Sequence, residues 1–195
     1  MVKLEDFIYI NNNSISPEIC SDIITLFEND KRQHPGTTSH GVDVEYKNTT
    51  DLLMIHGDPL LDKINKLLAK ELTYNISAFI NPFYKMFYPY ANIQNISYGT
   101  MQIQKYNKNV GKFVYHHDFM TNAAKKEARI LTYIWYLNDV YEGGETEFWK
   151  DYRIKPQVGK LVLFPACWTF PHAGLVPISN DKYIITGWVW NKSEQ

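Results

Sequence analysis

The spacing of apolar residues predicts two helices in the first half of the chain. Ser16 and Pro17 form a typical helix start, since serine caps free N–H groups and proline fits the first turn. The apolar residues that follow, at positions 19, 23, 24 and 27, recur at helical spacing. Asp58 and Pro59 repeat the start signal, and an apolar stripe follows them: Leu60, Leu61, Ile64, Leu67, Leu68 and Leu72. The polar residues 31–50 lack a period and predict a loop with room for a strand.

From about residue 95 the pattern changes to one typical of strands. Residues 101–106 alternate with a period of two, and residues 129–138 form a continuous apolar run typical of a buried strand. Turn signals separate further strand-like runs at 146–149, 153–154, 160–164 and 183–190. Many short strands without intervening helices favour a sandwich or jelly roll over a sheet with helical crossovers.

We therefore expect a mainly β protein with supporting α-helices. The length of 195 residues fits a single domain, covering 1–195. Within it we expect residues 1–94 to form an N-terminal helical support region and residues 95–191 to form the β core. The high aromatic content of 15% agrees with this division, because aromatic residues favour strands and pockets.

Charge and composition exclude several classes of function. The 20 basic and 21 acidic residues leave a net charge of −1, so the chain lacks the basic surface that nucleic-acid binding requires. No apolar run is long enough to span a membrane, and the acidic N-terminal segment is unlike a signal peptide. Cys20 and Cys167 show neither metal-ligand nor disulfide spacing. We expect a cytoplasmic protein that binds neither nucleic acid nor membrane.

Three residues could hold a metal ion. His116 and Asp118 share a face if their segment is extended, and His172 lies between two strand-like runs that could return it to the same place. Two histidines and one carboxylate form the ligand set of non-heme Fe(II) oxygenases. The His116–Asp118 pair by itself favours ordinary polar residues at a strand end over metal ligands.

Lys182 comes at the start of an apolar strand. By strand alternation, Thr186 and Trp188 share its face of that strand. A cation entering an apolar core is costly unless it meets an anion. A small dicarboxylate would satisfy this requirement.

These residues make the sequence from about Tyr98 to Trp190 resemble a known family. It is similar to the prolyl 4-hydroxylase branch of the Fe(II)- and 2-oxoglutarate-dependent dioxygenases. The resemblance lies in the following motifs: Tyr106, His116-x-Asp118, the YLND sequence at 136–139, the GGETEF sequence at 143–148, His172, Lys182 and Trp188.

The resemblance implies a double-stranded β-helix, a cupin-like jelly roll, packed against the N-terminal helices. It implies that Fe(II) is bound by His116, Asp118 and His172. It further implies that Lys182 pairs with the distal carboxylate of 2-oxoglutarate and that Thr186 and Tyr136 hydrogen-bond near that carboxylate. Other residues take further roles by resemblance: Tyr106 contacts the cosubstrate closer to the metal, and Arg129 and Trp188 lie beside the substrate.

Other interpretations of these two substrate residues stay open, namely a core aromatic for Trp188 and a solvated strand-end charge for Arg129. The implied reaction is that of a procollagen-proline 4-dioxygenase: hydroxylation of a prolyl residue in a peptide or protein, using O2, with release of succinate and CO2. Ascorbate is an implied reductant.

Three alternatives compete with this function. The same chemistry could act on a free amino acid, another side chain or a small metabolite, because substrate loops vary on a shared fold. A non-catalytic jelly-roll binding protein is a second alternative, and a zinc hydrolase with the same three ligands is a third. Neither of the last two explains why Lys182 accompanies the complete set of ligands.

Overall fold

The chain forms two antiparallel β-sheets and two α-helices over residues 3–55, 57–87 and 96–192, the part described by a computed structural model. The strands, in chain order, are β1 (Tyr9–Asn11), β2 (His34–Pro35), β3 (Lys47–Asn48), β4 (Thr50–Leu53), β5 (Ile96–Tyr98), β6 (Gln102–Tyr106), β7 (Lys112–His116), β8 (Thr121–Asn122), β9 (Glu127–Tyr136), β10 (Thr146–Phe148), β11 (Tyr152–Ile154), β12 (Leu161–Pro165), β13 (His172–Gly174) and β14 (Lys182–Lys192). A short 3-10 helix spans Leu4–Phe7.

Helix α1 spans Pro17–Asn29 and begins as predicted. The hydroxyl of Ser16 accepts a hydrogen bond from the backbone N–H of Ile19 at 3.4 Å, which caps the first turn. Cys20, Ile23 and Phe27 are buried on its inner face.

Helix α2 spans Pro59–Phe87 and extends well beyond the predicted leucine stripe. Its buried face is narrower than expected, because Leu60 and Leu67 are 55% and 40% exposed. Asn65 takes a buried place on that face and donates a hydrogen bond to the carbonyl of Met54 at 3.1 Å. The buried positions recur at helical spacings of three and four, and they are Leu61, Asn65, Leu68, Leu72, Asn75, Ile76 and Phe79.

The major sheet has the strand order β1-β12-β9-β14-β6-β4-β2, with β5 pairing to β14 and β8 to β9. The minor sheet has the order β11-β10-β13-β7-β3. Non-consecutive neighbours within both sheets are characteristic of a jelly roll, so the predicted fold class is confirmed.

The first 94 residues contribute strands to both sheets in addition to the helices that we expected. Strand β1 pairs with β12, β4 pairs with β6, and β3 pairs with β7, so this region extends both sheets. Strands of two to four residues are too short to show a period in the sequence. The expected boundary at residue 94 lies outside the described residues, and the single domain over 1–195 stays a prediction.

Two apolar clusters hold these layers together. One packs both helices against the outer face of the major sheet and includes Phe27, Leu68, Trp135 and Ile185. The other fills the space between the two sheets. Neither helix, within the residues described, is both long and apolar enough to cross a membrane.

Substitutions of Leu67 and Leu68, which are adjacent in α2, test which face of this helix packs against the sheet. We expect Leu68→Ala to lower the free energy of unfolding by about 2 to 5 kcal/mol, because Leu68 is completely buried. Leu67→Ala is the matched control and should cost less than about 1 kcal/mol, since Leu67 is largely exposed. Denaturant unfolding of both variants checks the prediction, and equal losses would contradict the described helix orientation.

Candidate active site

A cavity of about 640 Å³ is lined by residues of both sheets. Gln104, Thr132 and Lys182 approach it from the major sheet, and His116 and His172 approach it from the minor sheet. Loop residues between β2 and β3, including His40, complete the lining.

His116, Asp118 and His172 meet in this cavity. Strand β7 ends at His116 and β13 begins at His172, and the two residues are direct partners across the antiparallel pair. Asp118 follows two residues after the end of β7. Its Oδ1 atom lies 3.7 Å from Nε2 of His116, and its Oδ2 atom lies 3.5 Å from Nε2 of His172. All three ligand atoms lie within 4.8 Å of one another.

Backbone carbonyls fix the orientation of both imidazoles. Nδ1 of His116 lies 2.8 Å from the carbonyl of Val114, and Nδ1 of His172 lies 3.1 Å from the carbonyl of Phe170. Because a carbonyl only accepts hydrogen bonds, each Nδ1 must carry the proton. Each Nε2 therefore offers its lone pair to the centre of the group, as a metal ligand requires.

The carboxylate of Asp118 is also held in place. The hydroxyl of Thr132, on β9, donates a hydrogen bond to Oδ2 of Asp118 at 2.8 Å. Burial raises the pKa of Asp118, but His172, His116 and Thr132 outweigh it and bring the pKa below its ordinary value. The group is therefore ready to act as an anionic ligand.

Aromatic rings surround the two histidines. Phe113 stacks on His116 with ring centroids 3.6 Å apart and an interplanar angle of 15°. Phe148 and Phe164 pack against His172 at 5.5 and 4.8 Å. Burial, followed by the nearby His172, lowers the pKa of His116, so its imidazole is neutral and available for a metal.

The donor set fits a divalent transition metal such as Fe(II). Two imidazoles and one carboxylate form a 2-His-1-carboxylate group, which leaves coordination positions open. With metal–ligand bonds of about 2.1 Å, donors to one ion are separated by about 3 to 4 Å. The observed separations of 3.7 and 3.5 Å fall in that range.

Lys182 brings a positive charge into the same cavity. Its side chain is 1% exposed, its Nζ donates a hydrogen bond to the carbonyl of Gly144 at 2.9 Å, and it lies 3.9 Å from the centre of the Tyr106 ring. No carboxylate of the described residues lies within 4 Å of Nζ. Burial lowers the pKa of Lys182 to about 7, opposed only by Glu145. An anionic ligand would therefore be favoured here.

The other predicted cosubstrate residues differ in their access to the cavity. Tyr106 and Thr186 line it, and Thr186 donates a hydrogen bond to the carbonyl of Tyr133 at 3.0 Å. Tyr136 does not line it. The hydroxyl of Tyr136 donates to Oγ1 of Thr146 at 2.7 Å, and Thr146 is the residue at the cavity surface. The expected contact between Tyr136 and the cosubstrate stays a prediction.

Arg129 and Trp188 lie together at the cavity. The guanidinium of Arg129 lies 3.5 Å from the centre of the Trp188 ring, and its Nη1 donates to the carbonyl of Asp118 at 3.4 Å. Neither Nε of Arg129 nor Nε1 of Trp188 has a partner at hydrogen-bond geometry within the described chain. Arg129 is thus not a freely solvated charge, and Trp188 is not enclosed in the core.

A register shift explains how Arg129 reaches this surface. Strict alternation along β9 would place Arg129 and Thr132 on opposite faces, yet both line the cavity. Leu131 is paired with Val189 and Arg129 with Trp190, so β9 has one extra residue at this point. Such a bulge shifts the alternation of side chains by one residue, so Arg129 faces the same side of the sheet as Thr132.

Sequence reasoning missed several residues that shape the site. Thr132 holds Asp118, Thr146 lies at the cavity surface, and Lys47 and Gln104 form part of its wall. A signal existed for Thr132, because it is a polar residue within the apolar run 129–138. No local pattern distinguishes Lys47, which lies on a two-residue strand.

Comparisons with known proteins agree with this geometry. Residues 101–190 match the family model of the 2OG-Fe(II) oxygenase superfamily. A protein of Acanthamoeba polyphaga mimivirus with the name "Putative prolyl 4-hydroxylase" is 25% identical over 197 residues, which cover 92% of this chain and 72% of that protein.

Solved structures show the same fold. A viral collagen prolyl hydroxylase from Paramecium bursaria Chlorella virus-1, in complex with 2OG, superposes with a TM-score of 0.67 at 19% identity, covering 95% of this chain and 96% of the other. A Trichoplax adhaerens prolyl hydroxylase, in complex with a peptide of hypoxia inducible factor, gives a TM-score of 0.73 at 18% identity, covering 95% and 84%.

The matched region contains all three candidate ligands and Lys182. The resemblance drawn from the sequence is therefore confirmed over residues 101–190, which match the 2OG-Fe(II) oxygenase superfamily. Within that class it is similar to prolyl hydroxylases, and its cofactors are Fe(II) and 2-oxoglutarate.

The hydrogen bond from Thr132 to Asp118 gives a test of the site. We expect Thr132→Val to weaken metal binding by about 10- to 100-fold, because Asp118 loses the partner that orients it. Thr25→Val is the control, since Thr25 is exposed and its hydroxyl donates only to the carbonyl of Ser21 within α1. Calorimetric titration with Mn(II) measures both, and wild-type affinity in the Thr132 variant would contradict the assignment.

Proposed function

We propose that the protein hydroxylates a prolyl residue in a peptide or protein. The observation that carries this proposal is that three metal donors and the buried, unpaired Lys182 share one cavity. The names of the mimivirus relative and of the structural neighbours support prolyl hydroxylation, and the Trichoplax complex supports a peptide substrate.

Each residue has a defined part in this proposal. His116, Asp118 and His172 would hold Fe(II), and Lys182 would hold the distal carboxylate of 2-oxoglutarate, with Thr186 and Tyr106 beside it. When bound, iron and 2-oxoglutarate supply the oxidation, in which one oxygen atom of O2 enters the substrate as hydroxyl and the other enters succinate, with release of CO2.

The protein contributes orientation and exclusion of water. Phe113, Phe148 and Phe164 shield the histidines from solvent. Within the cavity lining, Trp188 offers an apolar surface, and the guanidinium of Arg129 could bind a peptide carbonyl. Both would position the substrate next to the metal.

Product analysis tests the proposal. The protein is incubated aerobically with Fe(II), 2-oxoglutarate, ascorbate and an array of proline-containing peptides. We expect succinate together with a gain of one oxygen on a prolyl residue, detected by mass spectrometry. Succinate formed only with free amino acids would contradict the peptidyl substrate, and no binding of 2-oxoglutarate would contradict the enzymatic function.

Removing a proposed ligand should abolish this activity. We expect Asp118→Ala to reduce succinate formation by more than about 100-fold, because the iron loses its anionic ligand. Asp151→Ala removes an exposed carboxylate and should remain within about twofold of wild type. Similar rates for the two variants would be evidence against Asp118 as a ligand.

Binding of 2-oxoglutarate should depend on pH through Lys182. The pKa of Lys182 is lowered to about 7 by burial, and a bound carboxylate would raise it again. Above pH 7 the free protein therefore takes up a proton on binding, and the affinity falls as pH rises, by up to about tenfold per pH unit. Below pH 7 the lysine is protonated in both states, so this dependence disappears.

Calorimetry in buffers of different ionisation enthalpy measures this uptake, with Mn(II) in place of Fe(II). Lys182→Arg is the control, since arginine keeps its charge and should bind without the proton. The same proton uptake in both proteins would show that another group titrates.

A further inference from the structure

A second lysine is buried in the wall of the same cavity. Lys47 is 3% exposed, and its Nζ lies 2.6 Å from Oδ2 of Asp51, which is 1% exposed. The ammonium also donates to the carbonyl of Thr37 at 3.4 Å. Lys47 thus has the carboxylate partner that Lys182 lacks, so it is not available to bind a second anion.

A gain in stability does not explain why this ion pair is buried here. Removing two charges from water costs about as much as their attraction returns, and apolar residues of similar size often stabilise a protein equally well. The bonds that Asp51 makes to other side chains are more informative. Its Oδ1 accepts from the hydroxyl of Thr49 at 2.8 Å, and its Oδ2 accepts from Nε2 of Gln104 at 3.5 Å.

The second of these bonds fixes the direction of the Gln104 amide. A carboxylate only accepts, so it must face the NH2 group of Gln104, which turns Oε1 the other way. That oxygen accepts a hydrogen bond from the hydroxyl of Tyr106 at 3.2 Å. The ring of Tyr106 in turn lies 3.9 Å from Nζ of Lys182, beside the proposed cosubstrate.

These contacts form one polar chain from Lys47 through Asp51 and Gln104 to Tyr106. We propose that Lys47 and Asp51 are positioning residues for 2-oxoglutarate, because they fix the Tyr106 hydroxyl through Gln104. The inference rests on the proposed function of the cavity. A wall that is already ordered loses less entropy when the cosubstrate binds, so an intact chain increases its affinity.

Replacing both charges tests the proposal without leaving a buried ion unpaired. The double variant Lys47→Met, Asp51→Leu should fold, because it avoids the large cost of a single unpaired buried charge. We expect it to bind 2-oxoglutarate about fivefold more weakly, because Tyr106 is then no longer held in place beside the cosubstrate. Calorimetry with Mn(II) in place of Fe(II) measures the affinity, and in turnover KM should rise about fivefold with kcat unchanged within about twofold.

The Tyr106→Phe background separates positioning from a merely structural role. If Asp51 acts through the Tyr106 hydroxyl, adding the double substitution to Tyr106→Phe should change the affinity by less than about 1.5-fold. The same fivefold loss of affinity in the Tyr106→Phe background would overturn the proposal. Wild-type affinity in the double variant that retains Tyr106 would overturn it as well. Failure of the wild-type protein to bind 2-oxoglutarate would instead contradict the proposed function.

Two further variants guard against misfolding. Gln104→Met breaks the middle of the chain but leaves the ion pair intact, and we expect the same fivefold loss of affinity. Thr49→Val removes a bond to the other oxygen of Asp51, so it should change thermal stability but not the affinity. Wild-type affinity in the Gln104 variant, or a fivefold loss in the Thr49 variant, would count against the polar chain.

Discussion

The pairing of β13 with β7 is the constraint on which the site depends. It places His172 directly opposite His116, although 56 residues separate them in the sequence. Asp118, two residues beyond β7, then lies within reach of both Nε2 atoms. Strand β7 and the segment that leads into β13 hold the carbonyls of Val114 and Phe170 close to Nδ1 of each ring. The ligand group is therefore a consequence of sheet topology, and its side chains need little rearrangement to accept a metal ion.

Burial lowers the pKa of a key residue in each half of the cavity, and each half then favours a different ligand. It lowers the pKa of His116, which favours the neutral imidazole that a metal requires. It also lowers the pKa of Lys182, because no carboxylate of the described residues pairs with the buried ammonium. Metal and dicarboxylate would each offset a cost of desolvation that folding alone leaves in place. Lys47 shows the contrast, because Asp51 already satisfies it.

The sequence predicted the parts of the structure that carry a period or a strong local signal. The helix start at Ser16, the long strand β9 and the strands β10, β11, β12 and β14 followed directly from these patterns, whereas β13 was not predicted. The exposure of Leu67 and the burial of Asn65 did not, because the limits of a helix face depend on its neighbours. Strict alternation also fails at the bulge that turns Arg129 into the cavity, and Thr146, which lines the cavity and accepts from Tyr136, carried no signal of its own. Such details arise from contacts distant in sequence, as does the pair of Lys47 and Asp51.

The central claim is that one cavity holds a metal on three side chains and a dicarboxylate on a fourth. A crystal structure with Mn(II) and 2-oxoglutarate, grown without oxygen, tests it most directly. The account predicts the ion bound by Nε2 of His116, Nε2 of His172 and the carboxylate of Asp118, with the far carboxylate of 2-oxoglutarate at Nζ of Lys182. An ion bound elsewhere, or a cosubstrate whose far carboxylate is bound by Arg129 instead, would contradict it.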